Sequence, residues 1–267
     1  MRPRERAFVA ALCAERAGLR LDHRPGYLME SALAPVARRE GFLSTSDLVR
    51  AARDRADDRL SSAIVEALAP AQTAFFRDPE VLGAALDALP FHRGEPLRIW
   101  SAGCGAGQEV YSLAMLLAER RSPAAVEITG SDLSQRLIDK AEAGLYSPFE
   151  VQQGLSAGRL VEHFEQLGEG FAVKPRLRAG LRWRRENLLH EAPETGRYDL
   201  VLGRYLLSSL GPSARTRVLA LLRAALKPGG CLVLSPHDAI AAYALGLEPL
   251  GSAPGLFRQS AAVAQAA

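Results

Sequence analysis

Apolar residues recur along this chain with two different periods. Through residues 1–70 the spacing is helical: Phe8, Leu12 and Leu19, then Leu28, Leu33 and Val36, then Leu60, Ile64, Val65 and Leu68. Ser44-Thr45-Ser46-Asp47 offers N-cap residues for a further helix, and strand signals are nearly missing. From about residue 95 short, fully apolar runs alternate with amphipathic stretches. The runs predict strands over Leu97–Ala102, Val126–Ser131, Leu181–Glu186, Tyr198–Gly203 and Cys231–Ser235. Between them the spacing predicts helices over Gln108–Arg120, Ser134–Ala143 and Ser213–Leu226, with Ser134 a possible N-cap. Lys227-Pro228-Gly229-Gly230 reads as the turn that ends the last helix. Such alternation implies an α/β fold with a doubly wound, mostly parallel sheet. Residues 145–180 do not fit it and are expected to form an inserted subdomain. The tail from Ala261 to Ala267 is expected to fray.

Composition narrows the class only a little. The 267 residues suffice for one large domain, or a small and a medium one, and 48% hydrophobic content is ordinary for a globular protein. No apolar run is long enough to span a bilayer, and Met1-Arg2-Pro3-Arg4-Glu5-Arg6 is not followed by an apolar signal core. A cytoplasmic location without membrane insertion is the expectation. Cys13, Cys104 and Cys231 lie far apart, so free thiols are expected rather than disulfides. His23, His92, His163, His190 and His237 have no partner at ligand spacing, and no metal site is predicted. A net charge of +3 gives no general nucleic-acid footprint. Locally, Lys174, Arg176, Arg178, Arg182, Arg184 and Arg185 face the single acid Glu186. That run is either a solvated hairpin face or a docking surface for an acidic partner.

The chemistry concentrates where the first buried strand ends. Gly103, Gly105 and Gly107 alternate there, and a helical pattern begins at once. Glycines let backbone approach a ligand, and a helix start offers unpaired N–H groups. The Gly-x-Gly-x-Gly spacing differs from the dinucleotide Gly-x-Gly-x-x-Gly, which favours an adenosine cofactor without a pyrophosphate, such as S-adenosylmethionine (SAM). Asp132 ends the second strand, 25 residues after Gly107, where an acid can accept hydrogen bonds from both ribose hydroxyls or cap the next helix. Asn187, after the third strand, can meet an adenine edge or serve a turn. Arg204 ends the fourth strand at the carboxyl edge of the sheet, where ligands bind, or else forms a surface ion pair.

Taken in order, several blocks carry a resemblance. They are Gln72-Thr73-Ala74-Phe75-Phe76-Arg77-Asp78, Leu97–Ala114, Ala143-Gly144-Leu145-Tyr146, Asn187-Leu188-Leu189, Tyr198–Arg204 and Leu226–Leu234. With these the chain resembles the chemotaxis receptor methyltransferases of the CheR type over nearly its whole length. The resemblance implies a helical N-terminal domain (1–75) and a class I SAM-dependent methyltransferase domain (76–260) with a small insertion at 145–180. It implies methyl transfer from SAM to glutamate side chains of an acidic receptor coiled coil, leaving S-adenosylhomocysteine. Thr73 and Arg77 would hold the methionine end, Arg77 as a bidentate carboxylate partner. Gly103 and Gly105 would form the loop, with Gln108 and Glu109 near the ammonium. Asp132 would bind the ribose, and Asn187 and Leu188 would bracket the adenine. Arg204 and Tyr205 would line the floor of the site as its catalytic residues.

Departures from the family pattern fall in the same places. Ala71 stands where the family has asparagine, Gln108 where it has glutamate, Tyr205 where it has asparagine, and Ser209 where it has tyrosine. They support a rival reading, a catalytically impaired module that binds SAM or its homocysteine product. A methyltransferase of this fold with another protein substrate is a further alternative. A nicotinamide dehydrogenase fits worst, because the glycine spacing is wrong and the helical front is unexplained. Nothing in the sequence fixes the oligomeric state.

Overall fold

The computed structural model describes all residues except 56, 71–72, 91–95, 121–124, 192–193, 244 and 261–267. Ala71, Gln72, His92 and the tail from Ala261 therefore lie outside the described residues. The chain opens with four helices, α1 (Pro3–Ala17), α2 (Gly26–Arg39), α3 (Thr45–Arg55) and α4 (Asp58–Leu68). Local chemistry sets their ends. The Glu5 carboxylate accepts the Arg2 N–H at 2.8 Å, and the Asp57 carboxylate accepts the Arg59 and Leu60 N–H groups at 2.9 and 3.1 Å. At Gly18, which caps α1, the backbone turns left-handed with φ 64°.

Helix α5 (Pro79–Asp87) leads into the sheet. The alternation that follows is β1 (Leu97–Ala102), α6 (Gln108–Glu119), β2 (Val126–Asp132) and α7 (Gln135–Ala143). Next come β3 (Leu145–Tyr146), α8 (Pro148–Gln152), α9 (Ala157–His163), β4 (Phe164–Leu167), β5 (Gly170–Val173) and α10 (Pro175–Arg178). The chain closes through β6 (Leu181–Arg185), β7 (Tyr198–Gly203), a 3₁₀ turn (Leu207–Ser209), α11 (Pro212–Ala224), β8 (Leu226–Leu234), α12 (Ala239–Tyr243), β9 (Leu247–Pro249) and β10 (Leu256–Gln259). The seven-stranded sheet has the order β6-β2-β1-β7-β8-β10-β9. The first five of these strands are parallel, and β10 runs antiparallel to its neighbours β8 and β9. Strand order reverses between β1 and β7, which opens a crevice at their carboxyl ends. This is the α/β, doubly wound class that the alternation predicts. Residues 145–173 fold away from it into an antiparallel sheet of order β3-β5-β4.

Period-two alternation divides the core. Trp100, Val201, Leu232 and Leu234 point to the side that carries the front helices and α11, and they share one buried cluster with Val9, Leu33, Leu48 and Ile64. Ile99, Leu200, Leu202 and Val233 point to the other side, packing with residues of α5 and α6 and with Tyr146 and Phe164 of the antiparallel sheet. Burial on both faces explains why these strands read as continuous apolar runs.

Two boundaries differ from the pattern. The last helix spans Pro212–Ala224, and Lys227-Pro228-Gly229-Gly230 lies within β8 rather than in a turn before it. Tyr198 pairs with Leu226, whereas Leu200 pairs with Cys231, so the register shifts there. The irregularity accommodates a proline that cannot donate to a ladder. It also brings the Lys227 ammonium to 2.9 and 3.0 Å from the two oxygens of buried Asp199. Among the described residues no helix is long and apolar enough to cross a membrane.

The front helices are fastened to the sheet edge through Gly18. Its carbonyl accepts the Gly211 N–H at 2.8 Å, the Arg20 N–H donates to Ser209 O at 2.8 Å, and Leu19 bridges Leu210. A Cβ at Gly18 would stand 2.4 Å from that of Ala214. Left-handed backbone alone costs an L-residue about 1–2 kcal/mol. Gly41 has a similar φ of 78° with nothing nearby. Gly18→Ala is therefore expected to lower the melting temperature by about 4–8 °C, and Gly41→Ala by less. Equal shifts in calorimetric scans would mean that the Ala214 contact contributes nothing.

Candidate active site

The glycine loop leaves β1 with its backbone tied to β2. The Gly103 and Cys104 N–H groups donate to Ser131 O at 2.8 and 2.9 Å. Gly103, Gly105 and Gly107 have φ of 71°, 57° and 88°, a region open mainly to glycine. Their surroundings differ. A Cβ at Gly105 would meet the Thr73 side chain at 3.0 Å, and one at Gly103 would meet Leu206 at 3.2 Å, both across the cleft. A Cβ at Gly107 would strike Ala141 and Trp183 at 2.8 Å, so this glycine serves packing. The Asp132 carboxylate accepts the Gly105 N–H at 3.0 Å and the Ser134 N–H at 2.9 Å. Burial pushes its pKa up, against those two hydrogen bonds. A carboxylate has about four lone-pair sites, so acceptor capacity remains for a ligand.

Gly103, Gly105, Asp132, Leu188, Arg204 and Ser209 all line one cleft of about 760 Å³. Front-helix residues Ala17 and Ala69 form part of its wall. A side chamber of about 340 Å³ shares Thr73, Gly103, Arg204 and Tyr205 with the cleft and adds Arg77 and Glu109. Most of the sequence-predicted residues are thus brought together. Two are turned differently from the expectation. Asn187 lines the cleft, but its amide donates to Arg16 O at 2.7 Å and its Oδ1 accepts the Leu189 N–H at 3.1 Å. The side chain ties α1 to the loop instead of presenting both polar atoms to a base. Gln108 is buried outside the main cleft, beside a groove bordered by Arg136 and Lys140, and its Oε1 has no hydrogen-bond partner.

Beneath the side chamber lies a charged network. Arg204, at the end of β7, is only 6% exposed. Its Nη1 donates to Glu109 Oε2 at 2.7 Å, and its Nη2 donates to Asp78 Oδ2 at 2.6 Å and Arg77 O at 2.7 Å. Ser101 Oγ donates to the other Glu109 oxygen at 2.8 Å. Tyr205 Oη donates to Asp78 Oδ2 at 2.5 Å, and the Arg77 guanidinium carbon stands 3.2 Å from the centre of the Tyr205 ring. Burial works against the charge on Arg204, but Glu109 and Asp78 more than offset it and hold the pKa up. The Tyr205 hydroxyl, together with Arg204, holds the Asp78 carboxyl below the usual range despite partial burial. Phe76, Asp78 and Tyr205, with φ of 49°, 50° and 57°, are the non-glycine residues of positive φ among the described residues. All three lie in this junction, where packing and hydrogen bonds hold an unfavourable backbone. The Ser209 hydroxyl is turned to Leu206 O at 2.7 Å.

Sequence reasoning passed over Asp78 and Glu186. Asp78 stands at the N-cap of α5, yet its side chain makes no capping bond. Glu186 lines the cleft 4% exposed, with Arg184 Nη2 2.9 Å from Oε1 and no partner for Oε2. The basic run is no hairpin face. Its cations are consumed internally: Arg182 by Glu127, Arg184 by Glu186, Arg185 by Glu66, Arg176 by Glu162, Arg178 by Glu142 O and Lys174 by Val161 O and Glu162 O. Glu186 belongs to the run itself, Glu66, Glu127 and Glu162 lie outside it, and the carbonyls that receive Arg178 and Lys174 carry no charge, so local composition overstated the free charge only at the arginines paired with acids. His163 is not a surface residue: it is buried, and its Nδ1 is unpartnered. Cys13, Cys104 and Cys231 are buried free thiols. Among the described residues no group of three His, Cys, Asp or Glu side chains is placed to hold a metal.

Comparison with known proteins shows which family the chain resembles. The family model described as CheR methyltransferase, SAM binding domain, matches residues 71–247. Chemotaxis protein methyltransferase 1 of Pseudomonas aeruginosa is 32% identical over 247 residues, 88% of each chain. Chemotaxis protein methyltransferase Cher2 of Pseudomonas putida is 30% identical, with 96% of each chain covered. A probable biofilm formation methyltransferase, WspC of P. putida, is 31% identical over 90% of this chain and 58% of its own.

The network makes a stability prediction. Glu109→Gln keeps the shape but removes the negative charge beside buried Arg204. It is expected to cost about 1.5–3 kcal/mol in denaturant unfolding. Glu127→Gln, at the exposed Arg182 pair, is expected to cost less than about 1 kcal/mol. Similar losses at both positions would remove Arg204 from the centre of this account.

Proposed function

The chain belongs to the CheR methyltransferase family, and on that footing we propose that it transfers the methyl group of SAM to glutamate carboxylates of a chemotaxis-type receptor. The observation that carries this reading is the single cleft that joins the Gly103–Gly105 loop, Asp132 and the Arg77 chamber. The cleft suits the cofactor: a side chain at Gly103 or Gly105 would crowd Leu206 or Thr73 in its lining, and Asp132 keeps acceptor capacity. In this reading Asp132 receives the ribose hydroxyls, and Asn187 and Leu188 flank the adenine with backbone and apolar surface. Thr73 and Arg77 hold the amino-acid end, with Glu109 near its ammonium. When bound, SAM supplies an electrophilic methyl on a cationic sulfur.

The chain's own task is then placement. A glutamate side chain has an ordinary pKa of about 4.3, so the acceptor is already an anion at neutral pH and needs no general base. Holding the acceptor oxygen in line can supply roughly 7–11 kcal/mol of the barrier. Because Arg204 is fully engaged by Glu109, Asp78 and Arg77 O, it acts as a positioning residue for the floor of the site rather than as a free anion receptor. Closure by the front helices would exclude water and favour a transfer that neutralises charge. The departures at Gln108 and Ser209 favour a second reading, a SAM-binding module with little or no turnover, since neither side chain presents a charge or phenol to the cleft.

Two measurements test the proposal. Tritiated SAM with receptor cytoplasmic fragments should give a base-labile methyl ester that releases methanol at high pH. Base-stable label, or no label from a protein that binds SAM, would reject glutamate transfer. Binding should also depend on pH. The Asp132 pKa is raised in the fold, so SAM affinity should fall as pH drops through a midpoint above the ordinary value of about 3.9. Asp132→Asn should flatten that dependence and weaken binding by about 1.5–3 kcal/mol at neutral pH. Unchanged affinity in the variant would remove Asp132 from the site.

A further inference from the structure

We infer that Tyr205 is a positioning residue that sets Arg77 as a clamp for a carboxylate, and so makes this site selective for adenosyl ligands that retain their amino-acid end. Three features of the side chain carry the inference. Its ring lies under the Arg77 guanidinium, 3.2 Å from ring centre to guanidinium carbon, with the Arg204 guanidinium carbon 5.5 Å from the same centre. Its hydroxyl is anchored on Asp78, the carboxylate that also receives Arg204, so the ring cannot turn without breaking a 2.5 Å hydrogen bond. Its backbone is held left-handed at φ 57°, a conformation that a non-glycine residue keeps only where contacts hold it.

The consequence follows from the shape of the guanidinium. Among the described residues no oxygen accepts a hydrogen bond from the Arg77 side chain; the Tyr205 ring is its partner. Stacking uses the face of the planar cation and leaves its edge, where the N–H fork lies, for a carboxylate. Arg77 and Tyr205 both line the side chamber, while Tyr205 and not Arg77 also lines the main cleft. Tyr205 therefore stands between the two spaces, with the clamp behind it. An arginine without this support would lose rotamer freedom on binding; one already stacked loses less.

The inference rests on the reading of Arg77 as the partner of the methionine carboxylate, so its test must separate the two. Calorimetry would compare S-adenosylhomocysteine with 5′-methylthioadenosine, which keeps the nucleoside and sulfur but lacks the amino-acid end. Tyr205→Asn removes the ring and suits left-handed backbone. It should weaken S-adenosylhomocysteine about tenfold, within the range of a partly buried cation–π contact, and leave methylthioadenosine within about twofold. Tyr205→Phe keeps the stack and loses the anchor, so it should fall between. Arg77→Ala should weaken S-adenosylhomocysteine selectively, and adding Tyr205→Asn to it should produce no further loss. If Tyr205→Asn weakens both ligands equally, or weakens neither while Arg77→Ala remains selective, the role of Tyr205 is refuted and that of Arg77 stands. If Arg77→Ala itself shows no selectivity, the reading of Arg77 fails and the role of Tyr205 falls with it.

Discussion

A buried guanidinium at the end of β7 constrains everything around it. Arg204 cannot be stripped of water unless anions surround it, because an unpaired charge in that position would cost several kcal/mol. The two that do so come from separate parts of the chain: Glu109 from the first turn of α6, and Asp78 from the linker before α5. A third acceptor is the Arg77 carbonyl. The charge therefore pins the linker, the glycine-loop helix and the end of β7 to one another. Those segments carry Thr73 and Arg77, Glu109, and Tyr205, which makes the side chamber a by-product of solving one desolvation problem.

The same junction accounts for where the backbone is unfavourable. Phe76, Asp78 and Tyr205 adopt left-handed conformations that their contacts hold in place. The Phe76 N–H reaches the buried Ser112 hydroxyl at 2.9 Å, while Phe75 packs edge-on to Tyr146 and Phe164 of the antiparallel sheet. Behind it, a Cβ at Gly154 would fall 1.9 Å from Phe75 O, so the insertion and the linker approach as closely as glycine permits. The linker is thus clamped from both sides, by the insertion and by Arg204.

The helical front closes the cleft by a different means. Its core is continuous with one face of the sheet, and its polar ties are few and placed at the site: Asn187 to Arg16 O, Gly211 to Gly18 O, and Arg185 to Glu66. A residue suited to base recognition serves instead as a fastener between α1 and the loop after β6. Those bonds couple the position of the front helices to the wall of the cleft.

Period and punctuation were enough to place the five parallel strands, the glycine loop, Asp132 and the α/β class, because each is local, but not the antiparallel strands β9 and β10 or those of the insertion. A buried strand must be apolar throughout, and a sharp strand-to-helix turn must use glycine. The proline and glycines of 227–230 misled in the other direction: locally they signal a turn, but a bulge opposite Tyr198 keeps them in the sheet. Most of the charge pairs were not legible. The acids outside the basic run of 174–185 that pair with it are Glu66, Glu127 and Glu162, and only the fold brings them within reach. Asp78, on which the sequence reading placed no role, is the shared acceptor of Arg204 and Tyr205. Hydrophobic period is a property of neighbours along the chain, whereas the compensation of a buried charge depends on which distant segment packs against it, and that is decided only by the tertiary structure.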